Sequence, residues 1–347
     1  MKGPKVLYLS LLALAVVVWA GCGKKPAVDP AQLSVFAPLP DEAPAKAGGS
    51  VEERIALGRM LYYDTRLSKN QQIACNSCHD LAKYGVDGQP TSDGHKGQRG
   101  DRNSPTVYNA ALQFVQFWDG RAPDVEAQAK GPVLNPVEMA MPSDRAVIVV
   151  LQSIPEYVAA FKRAYPGAKN PVTYDNMADA IGAFERKLTT PARWDKYLKG
   201  DHAALTAPEK EGLATFLEAG CQTCHAGALL GGNLYQKIGA VKPYPDASDP
   251  GRYRVTNSEG DRFLFKVPTL RNIEKTGPYF HNGKVVTLEQ AVSQMGEFQV
   301  GKQLNEARVK SIITFLKALT GNIPAEYIKK PALPASTART PKPLEAD

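Results

Sequence analysis

Apolar positions fall into a helical rhythm at Leu57, Met60 and Leu61, three and four residues apart. The same spacing returns at Leu213, Phe216 and Leu217. A second pattern, I-x-x-F-x-x-x-L-T, also occurs twice, at Ile181, Phe184, Leu188, Thr189 and at Ile312, Phe315, Leu319, Thr320. Each marks a helix with one apolar face turned to a core. The run AVIVVLQSI (146–154) has the apolar density of a strand, but PEYVAAFKRAY follows it with helical spacing, and both read as helix. Other alternating runs are short and broken by Gly and Pro, so the chain is predicted to be mainly α.

Between these helix signals the two halves match again. PTVYN (105–109) pairs with PTLRN (268–272), and twelve residues after each Pro come FWDGR (117–121) and FHNGK (280–284). Glu126 and Glu289 then fall in register without a gap. So many matches in one order mean an internal duplication. It predicts two homologous domains, 51–190 and 191–328, with the boundary near residues 189 to 208. A chain of 347 residues is long enough for both to bury a core. Residues 23–50, rich in Pro, Ala and Gly, read as a linker. Residues 329–347, with Pro at 331, 334, 341 and 343, read as a flexible extended tail.

The start of the chain changes the picture of where it works. Lys2 and Lys5 precede an apolar run from Val6 to Ala20 and then Gly21-Cys22, so residues 1–22 read as an export signal. Cys22 after Ala-Gly suggests a lipoprotein site with a lipid on Cys22; the alternative is ordinary cleavage after Ala20. Either outcome places the protein on the periplasmic side of the envelope. Nothing after residue 22 approaches the roughly 20 apolar residues that span a bilayer. The formal charge of +7 is modest, and part of it lies at the chain ends. No basic helix with interleaved aromatics is present, which argues against nucleic acid; weak steering of an acidic partner remains open.

The five cysteines resolve as two pairs plus Cys22, which leaves none for a structural disulfide. Both pairs sit in C-x-x-C-H motifs: CNSCH (Cys75, Cys78, His79) and CQTCH (Cys221, Cys224, His225). Two thiols at that spacing add to the vinyl groups of a haem while the next residue, His, reaches its iron. Two zinc knuckles or a redox dithiol would leave the repeated His unexplained. Two covalently bound haem c groups are therefore expected.

The other side of each iron is less marked. His95, His202 and His281 remain after the proximal pair. His202 lies in the linker-like KGDHAALTAPE and reads as solvated. His281 aligns with Trp118 in the repeat and reads as a packing position beside a haem. His95 sits in the Gly-rich SDGHKGQRGDRNSPT, a mobile-looking loop from which a ligand could let go. Met is the other common axial ligand, and Met139, Met141 and Met295 are candidates.

These motifs, with RNSPT, EAQAKGPVLNPVEMA (126–140), TGPYFHNG (276–283) and QMGEFQVG (294–301), make residues 51–328 resemble a bacterial di-haem cytochrome c peroxidase. The resemblance implies two class I cytochrome c-like haem domains. It implies that the N-terminal haem binds hydrogen peroxide, with His95 as a removable iron ligand. Met295 becomes the sixth ligand of the C-terminal haem, where electrons enter. Trp118 lies between the haems, and Gln128 and Glu138 line the peroxide pocket. Asn103, with the carbonyls of Thr276 and Pro278, corresponds to an inter-domain calcium site. A small electron donor, a cytochrome c or a copper protein, and a homodimer also follow from the resemblance.

The repeat supports this division independently. Gln128 has Ala291 as its counterpart, and the segment holding Glu138 has none in the second half. Acid–base groups on one side only suit one catalytic and one relay haem, with Glu138 moving a proton and Gln128 orienting peroxide. The rival expectations are a non-enzymatic di-haem electron carrier and a related haem enzyme that acts on a protein substrate.

Overall fold

The computed structural model describes residues 28–46 and 50–344, with Met1 and Gly3; the predicted lipidation point at Cys22 lies outside the described residues. The fold is mainly helical, as expected. In chain order the helices are α1 (Pro30–Leu33), α2 (Val51–Tyr62), α3 (Cys75–Cys78), α4 (Val125–Leu134), α5 (Asp144–Gln152), α6 (Pro155–Ala164) and α7 (Tyr174–Glu185). Then come α8 (Arg193–Leu198), α9 (Ala207–Ala219), α10 (Tyr253–Thr256), α11 (Leu288–Gln294) and α12 (Glu306–Lys317). The AVIVVLQSI run is helix, as read, and supplies α5. A short antiparallel pair, β1 (Tyr235–Lys237) and β2 (Leu264–Lys266), was not foreseen.

Local chemistry sets the helix ends. Ser50 accepts from the Glu53 N–H to start α2, and Asn305 accepts from Arg308 to start α12. Thr206 and Glu209 form a reciprocal capping box on α9, which stops at Gly220 with φ 91°. The long helices then pair as the repeat requires, α2 on α7 and α9 on α12. Both crossings are close because a glycine faces a backbone carbonyl. A Cβ on Gly58 would lie 1.8 Å from Ala180 O, and one on Gly212 would lie 2.1 Å from Ser311 O. Ala180 and Ser311 each precede the Ile of the repeated pattern, so the contact recurs in register.

The repeat is also written in the backbone. Asn109 and Asn272 (φ 61° and 60°), Phe117 and Phe280 (66° and 68°), and Gly120 and Gly283 (68° and 61°) occupy the same left-handed region. Two separate buried cores result. One gathers Leu57, Leu61, Tyr157, Phe161, Ile181 and Phe184. The other gathers Trp194, Leu213, Phe216, Ile312 and Phe315.

The chain ends depart from expectation. Residues 28–46 are not a free linker: Phe36 packs edge-on to Trp194 at 5.3 Å, and the Leu39 N–H donates to Asp195 Oδ1 at 2.6 Å. The tail is extended but docked rather than flexible. Thr340 is buried against Ser153, and Leu344 N–H donates to Lys69 O. Phe36 and Leu39 thus lie on the second half and residues 41–46 on the first, where Ala43 N–H donates to Arg186 O, while the tail lies on the first half. Composition marked these segments as irregular but not the anchors, Phe36 and Leu39 at one end and Thr340 at the other, that hold them down.

Candidate active site

The second C-x-x-C-H follows α9 directly, at the turn made by Gly220. Cys221, Cys224 and His225 line a largely apolar cavity of about 210 Å³ together with Met295. His225 Nδ1–H donates to Leu230 O at 3.0 Å, and since a carbonyl can only accept, Nε2 is left with its lone pair for iron. Met295 sits where α11 gives way to a π-helix, Met295–Gln299, a local widening common at functional positions. The structure therefore brings together the ring nitrogen and the thioether that the sequence analysis paired. His281 is buried, stacks on Phe265 at 4.2 Å and lines the same cavity, a packing position as read. His202 is exposed, also as read.

The first motif lies on α3. The chain frame around it mirrors the second: Tyr108 OH donates to Leu81 O, while Arg271, its repeat counterpart, donates to Ala228 O. His79 Nδ1 and both ring nitrogens of His95 are buried without a hydrogen-bond partner, and His95 is 4% exposed. Orphaned buried imidazole nitrogens are costly and uncommon, and an iron would take one of the two on His95. Met139 and Met141 are buried members of the first core.

The His95 loop is more tightly held than its glycines suggested. The His95 N–H is shared between Val137 O at 3.0 Å and Glu138 O at 2.7 Å. Gly94 is required because a Cβ there would lie 1.9 Å from Val137 O, and Gly97 because its φ is 73°. Gln98 Nε2 also donates to His95 O at 3.1 Å. The candidate ligand and the candidate acid–base residue are thus neighbours through the backbone.

Glu138 itself is half-buried just past α4, the helix that carries the half-buried Gln128. Asn135 Nδ2 donates to its Oε1 at 2.7 Å. Burial pushes the Glu138 carboxyl above its ordinary range, and Arg121 and the Asn135 amide only partly pull it back. Burial likewise pushes the Cys78 thiol up to about 11, with Glu138 among the carboxylates adding to the rise, which puts Glu138 near the first motif.

Trp118 joins the two halves. Its Nε1–H donates to Asn103 O at 2.9 Å, its carbonyl accepts from Lys266 N at 2.7 Å, and it meets His281 edge-on at 6.4 Å. Trp118, Asn103, Thr276 and Pro278 all line the cavity that holds His225 and Met295. Asn103 Nδ2 donates to Gln89 O at 3.0 Å, which leaves its Oδ1 outside that bond.

Sequence reasoning missed the ion pairs that lock this junction. Arg102 donates to Asp249 through Nε at 2.6 Å and Nη2 at 2.9 Å, and to Asp119 through Nη1 at 2.6 Å. Arg102 was quoted within RNSPT without a role, and nothing in its own surroundings announced a partner 147 residues away. Lys266, buried against the same junction, was missed as well.

Comparisons with known proteins follow the same lines. Residues 52–203 match the family model described as di-haem cytochrome c peroxidase. The cytochrome c551 peroxidase of Pseudomonas aeruginosa is 47% identical over 319 residues, covering 90% of this chain and 91% of that protein. The cytochrome c551 peroxidase of Nitrosomonas europaea is 45% identical, covering 97% of this chain and 98% of that protein. Among solved structures, a MauG-like protein associated with microbial copper homeostasis superposes with a TM-score of 0.73 at 25% identity, covering 89% of this chain and 99% of that one.

Proposed function

The chain belongs to the di-haem cytochrome c peroxidase family, and from that premise we propose that it reduces hydrogen peroxide to water with electrons from a small redox protein. Once attached, one haem supplies the iron that meets peroxide and the other supplies a stored electron.

The observation that carries the reading is the unequal chemistry of the two sites. A carboxyl with a raised proton affinity, Glu138, lies by the first motif. No carboxylate lines the His225–Met295 cavity among the described residues. Glu138 takes a proton from peroxide and returns it to the departing oxygen, so that water leaves; such help is worth about 10²–10⁴ in rate. Gln128 orients peroxide by hydrogen bonding. His79 and His95 would hold the first haem's iron, with His95 the ligand that would have to release it. His225 Nε2 and Met295 would hold the second, where a thioether ligand would raise the potential of that haem and suit it to accept electrons. Trp118 occupies the gap between the sites.

Calcium bridging the halves through Asn103, Thr276 and Pro278, a lipid on Cys22, a periplasmic location and a homodimer belong to the same reading. Among the described residues no helix is long and apolar enough to cross a membrane. A cytochrome c is the donor that the relatives' names favour over a copper protein.

Glu138→Gln tests the core of the proposal. The amide fills the same space but cannot accept the proton, so peroxide turnover should fall by about 10²-fold or more while both haem spectra survive. Near-normal turnover in this variant removes Glu138 from the mechanism.

A further inference from the structure

The cavity around His225 and Met295 contains one formal charge. Among the described residues that line it none is Asp or Glu, and Lys266 alone is ionic. Lys266 is 5% exposed, at the end of β2, opposite Tyr235 of β1. Strand pairing and the bond from its own N–H to Trp118 O fix where its side chain starts. At the far end, Nζ donates to Gln113 Oε1 and to Val115 O.

Those two acceptors are neutral, and an ammonium has three donors. Asp119 is the carboxylate that acts on Lys266 electrostatically. It is already bonded to Arg102 at 2.6 Å and to Arg121 at 3.1 Å. A buried cation without an anion of its own is unfavourable, and burial, only partly offset by the Asp119 charge, pushes Lys266 down to about 7. The site lacks a negative oxygen, and a haem carries such oxygens on its propionate groups. The repeat adds a second observation. Pro268 matches Pro105, so Lys266 stands where the first half has the neutral Asn103. The ammonium is placed on one side only, the side read as the point of electron entry.

We infer that Lys266 binds a propionate carboxylate of the second haem and holds the reduction potential of that haem up. The inference rests on the reading of this cavity as a haem site. A cation near the iron favours the ferrous state, which carries less positive charge. Removing it also leaves the propionate uncompensated, which favours the ferric state. Both effects lower the potential, so Lys266 acts through the haem as a tuning and positioning residue.

The test is a spectroelectrochemical titration of the holoprotein, wild type beside K266Q and K266R. K266Q should lower the midpoint of the Met-ligated haem so that the ferrous-to-ferric ratio at fixed potential drops about tenfold, ~59 mV for one electron. The first haem should not shift, and K266R should stay near wild type. An unmoved second midpoint with Met–iron absorption intact overturns the inference, as does an equal fall at both haems.

If K266Q does not assemble, the wild type decides. Its second midpoint should stay flat between about pH 6 and pH 8, because a paired ammonium keeps its proton. A midpoint that falls with rising pH through that window overturns the pairing. The other groups facing Lys266 are Asp119, locked between Arg102 and Arg121, and His281, which burial pushes down to about 4. Absence of Met–iron absorption in the wild type would instead sink the haem reading itself.

Discussion

Asn135→Ser removes the amide donor that reaches Glu138 Oε1 at 2.7 Å. It leaves an oxygen able to accept from the Val137 N–H, now served by Asn135 Oδ1 at 3.0 Å, so the turn into Glu138 keeps its cap. A hydrogen bond to a charged group is worth about 1.5–3 kcal/mol, and partial exposure of Glu138 argues for the low end. At 1.36 kcal/mol per unit, losing it raises the Glu138 pKa by about one further unit. The sign follows from the role. Peroxide activation needs the carboxylate, which exists only above the raised pKa, so kcat/KM falls as pH drops through it. In Asn135→Ser that acid limb should move to higher pH by about one unit, with the plateau nearly unchanged. The assay is kcat/KM for peroxide between about pH 4.5 and 8 with excess reduced donor, alongside haem spectra. An unmoved limb with intact spectra, or a limb displaced to lower pH, refutes the argument.

His95→Gly should leave the first haem open in the fully oxidised protein, seen as a high-spin signal by electron paramagnetic resonance; a low-spin first haem in this variant excludes His95 as its ligand. Exhaustive chelation of calcium should slow turnover while both haems stay attached, and unchanged activity and assembly would exclude a functional ion at Asn103, Thr276 and Pro278. Glu185 is a buried carboxyl that burial pushes up to about 8, whereas its repeat counterpart is Leu316. A folded pKa above the unfolded one means stability that is complete below the unfolded value and lost as pH rises, here between 4.5 and about 8 at ~1.4 kcal/mol per pH unit. Glu185→Leu should therefore flatten the fall in thermal midpoint across that range, and an unchanged slope would show that Glu185 is not the group responsible.

What was legible in the sequence was whatever repeats or keeps fixed spacing. The two motifs, the paired helices and the match of PTVYN to PTLRN are local patterns written twice, and the structure reproduces them down to the left-handed Asn109 and Asn272. Met295 could be named because a resemblance supplied the role; helical spacing alone equally allows a core methionine. Partners distant along the chain were not legible. Arg102 and Asp249 pair only after both halves fold, and Lys266 looks like any strand lysine until the cavity closes around it. The docked ends were hidden for the same reason, since composition shows that a segment is extended but not what it lies on. The glycines of the His95 loop gave the opposite error. Their number suggests freedom, whereas Gly94 and Gly97 serve close approach and a left-handed turn.

Thr190 is fully buried, and its Oγ1 accepts from Asn109 Nδ2 at 2.9 Å and from Asn272 Nδ2 at 2.8 Å. One hydroxyl thus serves equivalent amides from both copies of the repeat. The position equivalent to Thr190 is Gly321, which has no side chain and offers only its N–H, at 2.9 Å, to Asn272 Oδ1. A duplicated pair of independent modules would have carried a private joint in each copy. With a single shared one, the second copy cannot satisfy its buried asparagine until the first has placed Thr190. The dependence runs one way: opening the first half strands the Asn272 amide, whereas Asn109 keeps Thr190 within its own half when the second opens. The second half should therefore not outlast the first on heating, and a calorimetric transition of the first half below that of the second would refute this dependence.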